Sequence, residues 1–111
     1  FDVNEYFDGK VKSLAFTADG GKATVGVMAV GDYEFGTNCV EHMTLISGQM
    51  AVKLPREDDF RDIAVNETFI VDANVKFQVK IGEDSSYLCL YKKLMILYMD
   101  VLMPCRPGMA E

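Results

Sequence analysis

Residues 75–81 (VKFQVKI) place Lys76, Gln78 and Lys80 between Val75, Phe77, Val79 and Ile81. This period-two pattern predicts a strand with one wet face and one buried face. Similar alternation predicts strands over residues 10–16, 33–37, 49–54, 60–65, 68–71 and 87–91. The punctuation between them is Gly, Asn and Asp. Asp19-Gly20 supplies the positive φ of a tight hairpin, Asp72-Ala73-Asn74 another turn, residues 82–85 a further one, and Pro55 ends the strand before it. Residues 23–30 (ATVGVMAV) form a nearly unbroken apolar run with Gly26 inside, which predicts a strand buried on both faces or bulged. About eight to ten short strands with no helix before residue 92 make an all-β sandwich or barrel.

The tail breaks this pattern. Leu94, Leu97 and Val101 fall at helical spacing beside Met95, Tyr98, Met99 and Leu102, and Pro104 stops the run. A short helix or one more strand fits, packed on the barrel or on a second subunit. The expected organisation is a single domain, with the barrel over residues 1–91 and an apolar C-terminal extension over residues 92–111.

Composition narrows the partners. A formal charge of -6 on 111 residues argues against nucleic acid or an anionic membrane as partner, because both need a basic face. The apolar run over residues 94–103, interrupted by Asp100, is about half of the ~20 residues a membrane span needs. No secretory leader is visible in FDVNEYFDGKVK. Three cysteines without a CxxC pair suggest neither a disulfide framework nor a zinc site, and a cytoplasmic location is expected. Cys39 and Cys105 read as exposed, and Cys89 as a packed thiol.

Residues 31–48 (GDYEFGTNCVEHMTLISG) carry the most informative spacing, Glu41 to Gly48. It matches the second half of the first cupin motif, where metal-binding members place two histidines at the positions of Phe35 and Thr37. The second cupin motif falls on Asn66, Asp72, Asn74 and Phe77, with Phe77 where its histidine would stand. No metal is expected, because Glu41 alone cannot hold a divalent ion against water. His42 follows Glu41 but points to the opposite strand face and reads as a surface residue.

The chain resembles the small cupin-type pyrimidine/purine nucleoside phosphorylases of bacteria. The resemblance rests on residues 4–7 (NEYF), 9–13 (GKVKS) and 25–28 (VGVM), then Gly31, Tyr33, Phe35, Thr37, Glu41, Met43-Thr44, Ser47-Gly48, Leu54-Pro55, Phe69, Phe77, Tyr87-Leu88-Cys89 and Tyr91. It implies a homodimeric cupin β-barrel (jelly roll), a pentosyltransferase that uses inorganic phosphate to cleave many nucleosides into free base and ribose 1-phosphate. No cofactor is implied. Leu90 stands where the family often has a basic residue, Phe60 where it often has Trp, and Asn66 where it often has Gly.

Such a reaction needs groups that grip ribose hydroxyls, bind phosphate and accommodate a base. Glu41 is the expected catalytic carboxylate. Tyr33 and Phe35 offer aromatic faces for a base, and Thr37, Thr44 and Ser47 offer hydroxyls. Lys10 and Lys12 are the expected phosphate ligands. The rival reading is a non-enzymatic, metal-free cupin that binds a small ligand, because the fold by itself implies no activity.

Overall fold

The computed structural model describes residues 1–92, 105–107 and 109–110. The described strands are β1 (Val3–Tyr6), β2 (Val11–Ala18), β3 (Gly21–Met28), β4 (Gly31–Gly36), β5 (Val40–Lys53), β6 (Arg61–Ile63), β7 (Thr68–Val71), β8 (Lys76–Lys92) and β9 (Met109–Ala110). Their order in the sheet is β1-β2-β3-β8-β4-β9, with β5 pairing β6, β7 and β8. Every pairing among the described strands is antiparallel. The all-β barrel expected from the alternation is what forms. The helical spacing over residues 94–102 lies outside the described residues.

Two long strands organise the barrel. The turn expected over residues 82–85 is not a reversal, and no strand ends at Gly48, because β5 and β8 run straight through for 14 and 17 residues. Their mutual register instead shifts between Leu45 and Ser47, Ser47 and Gln49, and Gln49 and Met50. Gly48, at φ 104°, sits where a Cβ would lie 2.6 Å from the Ser85 Cα. Close crossing of two backbones, not chain reversal, is what these small residues serve. Bending lets one half of β8 pair with β3 and the other with β4 while both halves pair with β5.

The hairpin turn follows its sequence, with Asp19 and Gly20 at φ 53° and 73°. Strand β3 does not follow. It is neither bulged nor buried on both faces: its pairings with β2 and β8 are in continuous register, and Val25 and Val27 are 42% and 55% exposed. Gly26 has another purpose. A Cβ there would stand 2.7 Å from both the Lys12 carbonyl oxygen and the Tyr87 hydroxyl, so the glycine makes room for the tyrosine.

The interior is packed by Val11, Met28, Leu45, Met50, Val52, Val71 and Val79. At one end the packing is aromatic. Phe35 lies 6.3 Å from Tyr6, 5.6 Å from Phe7 and 5.8 Å from Phe77, centroid to centroid. That end holds Glu41.

Candidate active site

Period-two alternation along β5 turns Glu41, Met43 and Leu45 inward and leaves His42 and Thr44 on the other face. In the antiparallel pair with β8, Glu41 stands opposite Tyr91 and Met43 opposite Cys89. Opposed residues share a face, so a carboxylate, a thiol and a phenol converge inside the barrel. Tyr87 from β8, Tyr6 from β1, Met28 from β3, Phe35 from β4 and Phe77 from β8 complete the lining, together with Pro107 from the C-terminal segment. The cavity they enclose is only ≈ 20 Å³. That is room for about one water.

Glu41 is 2% exposed. Its Oε1 accepts a hydrogen bond from the Cys89 thiol at 3.5 Å, while its Oε2 is buried with no partner among the described residues. Burial pushes the carboxyl up to about 7, and the Cys89 hydrogen bond pulls it partly back. Burial followed by the Glu41 charge pushes Tyr6 up to about 12. Burial also raises Tyr87 and Tyr91, with the neighbouring Cys89 charge as the next cause, and raises the Cys89 thiol with Glu41 second. Near neutral pH the phenols and the thiol are therefore protonated donors, and Glu41 is poised between its two states. A proton acceptor that titrates near neutrality, ringed by neutral donors, suits both gripping hydroxyls and moving a proton.

Of the residues expected from sequence, Glu41 and Phe35 line this cavity. Tyr33 is buried, but its hydroxyl donates to the Ala29 carbonyl at 2.6 Å and its ring packs 5.0 Å from Phe7. Thr37 is also buried. Its hydroxyl donates to the Asp72 carbonyl at 2.7 Å and accepts from the Val75 amide at 3.1 Å, tying two turns together. Thr44 pairs with Thr68 at 2.6 Å on the outer face, and Ser47 with Ser86 at 2.6 Å. Lys10 and Ser47 share a separate open recess with Ser85 and Ser86, backed by Met28, which also lines the Glu41 cavity. Lys12 is exposed and pairs with Glu5 at 3.3 Å.

Sequence reading passed over the roles of Tyr6, Tyr87, Cys89 and Tyr91 at this site. The signal was the alternation of Tyr87, Cys89 and Tyr91, whose common face becomes the Glu41 face only once β5 and β8 are in register. That register also settles Leu90, which pairs with His42 on the opposite face and does not line the cavity.

The cysteine expectation is overturned. Cys39 and Cys105 form a disulfide and are 3% and 2% exposed. Their separation of 66 residues hid the pairing, because only the fold brings the C-terminal segment back against the turn that follows β4. Lys22 Nζ donates to the Cys105 carbonyl at 2.8 Å, the Arg106 amide donates to Asn38 Oδ1 at 3.0 Å, and β9 pairs with β4.

At the positions where metal-binding cupins carry histidines, the Phe35 and Phe77 rings stand 5.8 Å apart beside Glu41 and offer no donor, while Thr37 is spent on its turn. This donor set does not fit a divalent metal. Both glycine positions of the second cupin motif are filled by asparagines that still take positive φ, 72° at Asn66 and 61° at Asn74. Asparagine is among the few residues that tolerate that conformation.

A family model described as pyrimidine/purine nucleoside phosphorylase matches residues 1–91. Among curated proteins, a pyrimidine/purine nucleoside phosphorylase of Pseudomonas aeruginosa is 52% identical over 92 residues, covering 83% of this chain and 99% of that protein. One of Alcanivorax borkumensis is 55% identical over 91 residues, covering 82% of this chain and 97% of that protein. Among solved structures, a protein of unknown function from Vibrio parahaemolyticus superposes with a TM-score of 0.79 at 40% identity, covering 82% of this chain and 97% of that one. A putative ethanolamine utilization protein from Salmonella typhimurium, at 13% identity and a TM-score of 0.65 over 80% of this chain and 76% of that one, shares the cupin-type fold alone.

Proposed function

Since the chain belongs to the pyrimidine/purine nucleoside phosphorylase family, we propose that it cleaves purine and pyrimidine nucleosides with inorganic phosphate, releasing free base and ribose 1-phosphate. In this reaction the bond from the ribose C1′ to the base nitrogen breaks as one from C1′ to a phosphate oxygen forms. The base departs with the bonding pair and takes a proton. The observation that carries the reading is Glu41, buried at the cavity with Oε2 unpartnered among the described residues. An unsatisfied buried carboxyl costs folding energy, and such groups persist where function requires them.

In its charged form Glu41 accepts from ribose hydroxyls and offsets the positive charge that develops on the sugar. The apolar and aromatic lining supplied by Phe35 and Phe77 accepts either class of base through its faces, which supports broad specificity. We assign phosphate to Lys10 and Lys12, with the Ser47 hydroxyl beside Lys10, and no cofactor to the reaction. Tyr33, Thr37 and Thr44 then act on the substrate only by holding the site's framework. Among the described residues no helix is long and apolar enough to cross a membrane. We place the enzyme in the cytoplasm, where the Cys39–Cys105 bond faces reducing thiols. We also propose a homodimer through the exposed apolar face of Val3, Leu14, Val25 and Val27, a continuous patch of the kind that marks an association surface.

The test is base release from uridine, adenosine, inosine and guanosine in reducing buffer, with and without phosphate. Release should require phosphate, fall at least about 100-fold in Glu41→Ala, and show a raised phosphate KM in Lys10→Ala. A folded protein that releases no base from any of the four ends the phosphorylase reading. Unchanged turnover in Glu41→Ala removes the carboxylate from it.

A further inference from the structure

The Glu41 cavity is small and its reactive groups are occluded, Glu41 and Cys89 being 2% and 1% exposed. At ≈ 20 Å³ it holds about one water, whereas small-molecule sites run from roughly 300 to 1,000 Å³. Part of its wall is Pro107, which lies beyond residue 91, where the family match ends. The barrel shared with that family therefore lacks this part of the wall.

Pro107 is held from both sides. Upstream, Cys105 is bonded to Cys39 in the segment between β4 and β5, its carbonyl accepts from Lys22 Nζ, and the next amide, that of Arg106, donates to Asn38. Downstream, Met109 and Ala110 pair with Gly36 and Phe35 on the edge of β4. Phe35 is itself a wall of the cavity. Among the described residues the non-covalent anchors include two hydrogen bonds and a two-residue ladder, each worth little net because water competes for the same groups. The disulfide differs in kind, since it keeps the segment at high effective concentration over its seat however often those weak anchors open.

We propose that residues 105–107, with the edge pairing of residues 109–110, act as a strap that closes the Glu41 cavity, and that the Cys39–Cys105 disulfide is its latch. A dithiol reductant opens it. One thiolate of the reductant attacks a latch sulfur during local opening of the edge, forming a mixed disulfide and expelling the other cysteine as a thiolate. The second reductant thiol then closes the reductant's own disulfide and releases the first cysteine. Two electrons and two protons pass to the protein, which ends with two thiols, and the reductant ends oxidised. With the latch open, the strap leaves by breaking its edge pairing, and Pro107 no longer blocks the way to Glu41 and Cys89.

The strap itself can be tested without any activity, while its consequence for turnover rests on the phosphorylase reading. Cys89 lines the cavity and is the free cysteine of the latched protein, so its alkylation by iodoacetamide reports access. We would compare the latched protein with the double variant Cys39→Ser, Cys105→Ser, in which Cys89 is again the sole thiol. Hydrogen exchange at the amides of Met109 and Ala110 would be followed in the same pair and in wild type treated with dithiothreitol. Both Cys89 labelling and strap exchange should rise at least about tenfold in the opened forms, as expected when the competent state goes from minor to dominant. Equal rates in latched and opened proteins overturn the proposal. If the variant fails to fold, dithiothreitol-treated wild type decides by strap exchange alone. Opened protein that labels fast but releases no base keeps the strap and sinks the phosphorylase reading. Base release that is equally fast from latched protein sinks the strap and leaves that reading intact.

Discussion

The Cys89 thiol donates to Glu41 Oε1 at 3.5 Å, and Oε2 has no partner among the described residues. A carboxyl this deeply buried and held by one weak donor is easier to keep neutral than charged, which is why it sits near 7 rather than in the usual carboxylate range.

That shift is a statement about stability. The folded state holds the Glu41 proton more tightly than the unfolded chain, so the associated stability is complete below about pH 4.5 and is lost as pH rises through about 7. Glu41→Gln removes the titration. Wild type should lose about 3 kcal/mol relative to Glu41→Gln between these limits, read by urea unfolding at several pH values. Parallel stability curves for the two proteins would show that Glu41 is ordinary.

Activity should run the opposite way with pH. If the charged carboxylate grips the ribose, kcat/KM for phosphorolysis rises through about pH 7 and levels off above it. A profile that falls through the same range would assign Glu41 the role of proton donor. The Tyr6 phenol, pushed up to about 12, stays protonated throughout this window.

Gly26 is where the barrel wall has no room to spare. A methyl group there meets the Lys12 carbonyl and the Tyr87 hydroxyl at 2.7 Å, and the carbonyl belongs to a paired strand that cannot retreat alone. Gly26→Ala should destabilise the fold by about 1–3 kcal/mol and displace Tyr87 from the cavity. Gly20→Ala provides the contrast, since a Cβ there meets nothing within 4 Å and the cost comes from its φ of 73° alone. A denaturation midpoint for Gly26→Ala equal to wild type would refute the packing argument.

The proposed dimer should come apart when its apolar face is charged. Val27→Asp and Leu14→Asp lie on exposed positions of β3 and β2. Each should leave the monomer folded while halving the sedimenting mass, because burying an unpaired carboxylate costs more than the lost apolar contact returns. Wild type that sediments as a monomer at every concentration would remove the dimer.

The sequence by itself determined the local geometry. Alternation located β2, β7 and the first part of β8 to within a residue or two, Asp19-Gly20 marked its hairpin, and the Glu41-to-Gly48 spacing picked out the one expected site residue that ends up with its carboxylate at the cavity. These are properties of neighbouring residues, set by steric preference and by which face meets water. Tertiary structure decided the rest. Residues 82–85 look like a turn, but β8 crosses β5 there at Gly48, and a small residue serves a bulge as well as a reversal. Thr37 looks like a ligand until Asp72 and Val75 from a distant turn claim its hydroxyl. Cys39 and Cys105 look unpaired because no local pattern encodes a contact across 66 residues. What completes the cavity wall was likewise beyond the sequence, since Pro107 reaches it only after the chain has returned to the edge of β4.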